Sequence, residues 1–244
     1  VIDRHWRVLT MIAWAVLAAW FVARGWNTVR WLSLSDTDDN MRLMQVRALL
    51  NGQAWYDLRQ YRMNPPAGFD MHWTRIVDLP IAGLILLIRP FAGTFWAERL
   101  ACGIAPLMPM SVTLVALAFT VRRLVHPLAW PLAIVFLLLC TTTLLMFMPE
   151  RIDHHGWQLA SLDVTVAGLA DPAQRRGGLM VGLASAFSLS IGLEMLPYAA
   201  GAGAIIALRW VWDRAEAARM TVYGAALGAG CLLGYAAFAS YANS

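Results

Sequence analysis

The chain has no lysine: its 19 basic side chains are all arginines. That excludes Schiff-base chemistry and an amine acting as general base. Charge is scarce as well, at 14% of 244 residues, where a soluble domain carries roughly a quarter. Set beside 59% apolar residues and a mean hydropathy of +0.57, that scarcity identifies an integral membrane protein. No CxxC spacing links Cys102, Cys140 and Cys231, which all fall in apolar runs and read as packed, inert thiols. Nor do arginines interleave with aromatics on a polar face, so the net charge of +4 does not point to nucleic acid. The arginines sit at the ends of apolar segments, where they contact lipid phosphate and set topology. The first apolar run lacks a small-residue cleavage site and reads as a retained span, not a signal peptide.

What is present is a series of apolar runs. The run 8–23, extended by Trp6 and Trp26, reaches about 20 residues, enough to cross a bilayer between two interfacial tryptophans. A long polar insertion follows, with a short helix expected over 41–50, capped by Asp39 or Asn40 and stopped by Asn51-Gly52. Asn64-Pro65-Pro66-Ala67-Gly68 then forces turns. The run 79–91 is too short to span and ends at Arg89-Pro90; taking it as non-crossing puts the arginine groups at 4/7, 122/123, 175/176 and 209/214/219 on one side. The expected fold is thus an all-α polytopic transmembrane bundle of about seven spans: 8–23, 100–121, 127–148, 157–170, 178–193, 195–211 and 220–239. Residues 27–95 form a large first extracytoplasmic loop with short helices, the amino end lies in the cytoplasm by the positive-inside bias, and Ser244 lies outside.

That topology puts two polar clusters on the same outer face: Ser35-Asp36-Thr37-Asp38-Asp39-Asn40, and Glu150-Arg151-Ile152-Asp153-His154-His155-Gly156. Carboxylate with imidazole is a donor set for a divalent cation. If the junction at 153–155 is extended, Asp153 and His155 share a side and His154 faces away. The plain alternative makes Asp153 a helix cap with interfacial histidines, and Asp36, Asp38 and Asp39 an Asx turn and cap. Asp39 and Glu194 are further acidic candidates. Arg42, Arg75 and Arg151 are candidates for clamping a phosphate, each with a loop salt bridge as the alternative. Asp163, in mid-span, reads either as functional or as an interhelical hydrogen bond.

On these motifs the chain resembles the glycosyltransferase C superfamily, most closely the catalytic subunits of archaeal and bacterial oligosaccharyltransferases. Asp36-Thr37-Asp38-Asp39-Asn40-Met41-Arg42 is similar to their D-x-x-x-N/H-x-R pattern, and Asp153-His154-His155 to their D-H-H. Gly68-Phe69-Asp70-Met71-His72-Trp73 looks like the same loop of that group. The resemblance covers most of 6–175. The tryptophan-rich acceptor motif of those subunits and its outer carboxyl-terminal domain have no counterpart here. The resemblance implies an inverting transferase of the bacterial inner membrane. It would move a sugar or oligosaccharide from a polyprenyl (pyro)phosphate to a protein, lipid or polysaccharide acceptor. It also implies Asp36 as the catalytic carboxylate that orients or deprotonates the acceptor, and Mn²⁺ or Mg²⁺ held by Asp36, Asp153 and His155. Two rivals stand beside it: a metal-independent polyprenyl-phosphate monosaccharide transferase, and a non-enzymatic transporter or structural subunit.

Overall fold

A computed structural model of the chain describes residues 4–242. It is a helical protein with one two-residue antiparallel hairpin. Three helical stretches, Trp6–Arg24, Asp78–Leu124 and Arg214–Phe238, are long and apolar enough to cross a membrane. Helix α1 (Trp6–Arg24) shows why: Val8, Ile12, Val16 and Trp20, one turn apart, are all exposed, a stripe that needs lipid and not water.

After α1 and a short α2 (Trp26–Trp31), helix α3 runs Thr37–Leu50, longer than expected, because Asp36 and not Asp39 or Asn40 caps it. The loop beyond α3 holds the hairpin β1 (Arg59–Gln60) and β2 (Phe69–Asp70), registered Arg59 opposite Asp70 and closed by their ion pair. Helix α4 (Asp78–Ile104) runs past Pro90 and breaks at Gly93, whose φ of 73° an L side chain rarely adopts. Ile81, Ala82 and Ile85 before the break share one core cluster with Ala97, Ala101 and Cys102 after it, so the chain doubles back there.

Helix α5 (Leu107–Leu124) leads to the segment 127–148, which is not one helix as expected. It divides into α6 (Pro131–Leu139) and α7 (Thr141–Leu145) at Cys140, where ψ is 74°. Three successive threonines follow that break, and their hydroxyls compete for the backbone groups a helix needs. Helices α8 (His155–Leu169), α9 (Gln174–Ile191), α10 (Leu196–Trp212) and α11 (Ala217–Phe238) complete the bundle. α9 and α11 approach closely: a side chain at Gly182 would meet Ala226 Cβ at 2.7 Å, the small-residue contact typical of membrane helix pairs.

Contacts sort the helix termini into two ends. At one end Trp55 Nε1 donates to the Ala237 carbonyl at 2.6 Å, and Tyr241 N to the Tyr56 carbonyl at 3.0 Å, tying the α3–α4 loop to the close of α11. At the other end Arg122 lies over Trp6, Arg176 over Phe119, and Arg219 donates to the carbonyls of Gly168 and Asp171.

Candidate active site

The polar residues singled out in the sequence meet at the first of these ends. Asp36 Oδ1 caps α3 by accepting from Asp38 N at 3.2 Å, which leaves Oδ2 for Arg151 Nη1 at 3.0 Å. The same arginine nitrogen donates to Asp39 Oδ2 at 2.9 Å. Asp39 Oδ1 in turn accepts the Asp153 backbone N–H at 3.0 Å. Segments 112 to 115 residues apart are thus joined by three hydrogen bonds, with Asp39 fully buried between them. Asp36 thus both caps α3 and joins the Arg151 junction.

Asp153, His154 and His155 each bring one donor atom within 4.8 Å of the others. Asp36 lies outside that group, held by Arg151, so the expected trio of Asp36, Asp153 and His155 is replaced by three consecutive residues. His154 does not face away. With φ −75° and ψ −18° it takes the N-cap position of α8, and its ring turns back so that Nδ1 lies against Asp153 Oδ1. Its Nε2 sits 3.4 Å from Glu194 Oε1, and His155 Nε2 sits 3.3 Å from Asp153 Oδ2. Gln158 ties the far side, donating from Nε2 to Glu194 Oε2 at 2.6 Å, with Oε1 3.3 Å from His155 Nδ1.

These residues fit a small divalent cation. His154 is buried, and both its ring nitrogens lie near carboxylates without hydrogen-bond geometry to any partner among the described residues. Both buried nitrogens thus face carboxylate oxygens, of Asp153 and of Glu194. A cation accepting the lone pair of one ring nitrogen together with carboxylate oxygens would use that donor set.

Electrostatics separates the four acids. Hydrogen bonding from Arg151 and from Asp38 N keeps the Asp36 carboxyl below the ordinary range. Burial pushes Asp39 up to about 6 against the pull of Arg151. Burial also pushes Asp153 upward, but contact with His154 and His155 outweighs it and leaves the group at about 2. Burial pushes Glu194 upward, but its own backbone N–H, Gln158 and His154 together outweigh it and hold the group below the ordinary range. Asp36, His155 and Glu194, with side chains 42%, 39% and 39% exposed, form the reachable rim; Asp39, Asp153 and His154 lie beneath it.

Two expected phosphate clamps are not available. Arg42 and Arg75 are buried and converge on Asp78, at 2.9 and 3.5 Å. Arg75 also donates to the carbonyls of Ala54, Trp55 and Asp57, knitting the loop to α4. Arg42 lies 4.8 Å from the centre of the Trp73 ring, and its Nε and Nη2 have no hydrogen-bond partner. Trp73 in turn packs on His154, ring centres 5.5 Å apart, so this buried ion cluster supports the site from below. Of the three arginines, Arg151 alone reaches the rim. Asp163, in α8, is not among the residues that meet at this site.

Asp78, Gln158 and Glu150 were not among the sequence candidates for this site. Gln158 had a readable signal, three residues beyond His155 on the same helical face. Glu150 had none: it is buried, at a φ of 76°, with neither carboxyl oxygen hydrogen-bonded. No family model, curated protein or solved structure matches the chain.

Proposed function

We propose that this protein is a glycosyltransferase of the C type, taking a sugar or oligosaccharide from a polyprenyl (pyro)phosphate donor at the extracytoplasmic face of a bacterial inner membrane. The observation that carries the proposal is the junction of Asp36 and Asp39 with the Asp153–His155 segment through Arg151. A membrane protein holds so many acids and imidazoles at one helix-bundle end when an ionic substrate or cation is handled there. The seven-span topology, with the site outside and the arginine-rich end in the cytoplasm, belongs to the same proposal.

The residues divide the work by exposure. Asp36, reachable and held anionic by Arg151, orients the acceptor's nucleophilic oxygen or nitrogen by accepting a hydrogen bond from its O–H or N–H; its low pKa suits orientation more than proton abstraction. Arg151 balances Asp36 and Asp39 and presents a guanidinium beside the place where a donor phosphate develops charge. Asp153, His154 and His155 would hold Mn²⁺ or Mg²⁺, the imidazoles favouring Mn²⁺. When bound, such a cation supplies Lewis-acid stabilisation of the departing phosphate. Beside Glu194, a cavity of about 580 Å³ lined by Leu58, His72, Leu189, Tyr235 and Phe238 offers apolar walls to the lipid end of a donor.

The test uses proteoliposomes made with a bacterial polar-lipid extract containing polyprenyl-linked sugars, following free polyprenyl phosphate and polyprenyl pyrophosphate together by mass spectrometry. Wild type should release it and Asp36→Asn should fall by at least about a hundredfold, the usual scale for losing a positioned acid–base group. Equal release from both proteins sinks the proposal. A second reading, metal-independent transfer, is favoured by one observation, that Asp36 stands outside the Asp153–His155 group. Release that persists in EDTA and in His154→Ala but not in Asp36→Asn would select it. Cysteines introduced at Thr37 and Arg123, in a background without the native cysteines, should label from opposite sides of the membrane.

A further inference from the structure

The opposite end of the bundle carries a second feature that the transferase reading does not use. The Trp6 ring is flanked by the guanidiniums of Arg7 and Arg122, 5.3 and 5.0 Å from its centre. The Phe119 ring is flanked by those of Arg123 and Arg176, at 5.1 and 5.9 Å. Between these rings opens a cavity of about 430 Å³, walled by Met11, Val112, Val115 and Val164 from α1, α5 and α8, with Arg7 and Arg176 at its mouth. Ser111 also lines it, but its hydroxyl is already donated to the Met108 carbonyl at 2.6 Å. The interior is therefore apolar in what it offers. Arg176 is bidentate on Asp171, and Arg122 donates to the Pro127 carbonyl. Arg7 and Arg123 are exposed, and Arg123 also lies within reach of the Asp171 charge.

An apolar slot beneath a cluster of guanidiniums has two complementary chemistries, and one class of molecule carries both. We infer that this cavity binds an anionic phospholipid of the surrounding bilayer, an acyl chain in the slot and the phosphate among Arg7, Arg123 and Arg176. Basic pockets between membrane helices take lipid phosphates in this way, each arginine contributing about fivefold in affinity. Tryptophan at the rim suits the headgroup level, where one face is apolar and the other wet. A free anion would leave the apolar walls without an occupant. A neutral phospholipid would bring Arg7 no counter-charge, whereas Asp171 already serves Arg176.

The experiment is native mass spectrometry of the purified protein equilibrated in micelles with equal amounts of phosphatidylglycerol and phosphatidylcholine. Wild type should retain phosphatidylglycerol in preference. Arg7→Gln with Arg123→Gln, both exposed and resting against the Trp6 and Phe119 rings, should reduce that preference by about 25-fold. Val112→Trp, which fills the slot from a partly exposed position, should remove the retained lipid with every arginine intact. Equal retention of the two lipids by wild type overturns the inference. A preference that survives both changes also overturns it, since diffuse surface charge would then explain it. Displacement of phosphatidylglycerol by millimolar inorganic phosphate would show a free-anion site instead, and would overturn it too.

Discussion

The two ends of the bundle both bury charge, but they treat it differently. At the arginine-rich end, Glu216 accepts from Arg209 and Arg219 at 2.9 and 2.6 Å. Arg219 spends its remaining donors on the Gly168 and Asp171 carbonyls, and Asp171 holds Arg176. Each of these buried groups is answered by another. At the acidic end, Glu150 keeps two carboxyl oxygens, His154 two ring nitrogens and Arg42 two guanidinium nitrogens without hydrogen bonds. Glu150 also holds a positive φ that costs a non-glycine residue on the order of 1 kcal/mol or more. Satisfied networks build a stable framework. Unsatisfied ones persist where a ligand completes them or where strain serves the chemistry. The contrast separates the two ends independently of any motif.

The largest effect should come from the buried ion cluster beneath the acidic site. Asp78→Ala leaves Arg42 and Arg75, at most 1% exposed, without their shared carboxylate. Removing one partner of a buried ion pair costs about 3–5 kcal/mol, so unfolding in detergent should shift by that amount and Mn²⁺ binding should fall with it, since Trp73 links Arg42 to His154. A stable Asp78→Ala protein would show that this cluster does not support the site.

Next in size is the mirror experiment at the other end. Arg219→Ala removes hydrogen bonds to Glu216 and two carbonyls, and hydrogen bonds to charged groups contribute about 1.5–3 kcal/mol each before the others readjust. Stability should drop by about 2–3 kcal/mol on that scale, while Mn²⁺ affinity, read by electron paramagnetic resonance, stays at the wild-type value. His154→Ala should do the reverse, weakening Mn²⁺ strongly with little loss of stability. If both variants lose metal binding equally, the ends are coupled and the contrast between them fails.

How much of this was legible follows from where each signal lives. Membrane class and helical character come from local hydropathy and period, and three stretches carry them plainly. The site's makeup depended on one helix boundary. Begun at residue 41, α3 leaves Asp39 outside the helix. Begun at Thr37 under an Asp36 cap, it puts Asp39, Arg42 and Val46 on one buried face, and Arg42 points to Asp78 and not to solvent. The membership of His154 turned on a single backbone conformation at the start of α8, which no periodicity encodes. Arg75 was unreadable for another reason: its partners are loop carbonyls, set by the path of the chain between 51 and 77. The break within 127–148 had a visible cue in Thr141-Thr142-Thr143, but a run so apolar hides it.

The effect with the smallest single step, a slope read per pH unit, is the sharpest probe of the unsatisfied end. Burial, reinforced by the nearby Asp39 charge and only partly offset by Arg99, pushes Glu150 up to about 8 from an ordinary 4.5. In the unfolded chain this carboxyl gives up its proton near 4.5, while the folded protein keeps it to about 8. Folding therefore takes up a proton across that window, so its contribution to stability is full below 4.5 and declines as pH rises toward 8. The decline is at most about 1.4 kcal/mol per pH unit. Glu150→Gln is neutral in both states and lacks that slope. Melting followed in detergent from pH 5 to 9 should show the two proteins converging in acid, with the variant increasingly the more stable as pH rises. Parallel curves would mean that Glu150 finds a partner the folded chain does not display, and the acidic end would then be no less satisfied than the arginine-rich one.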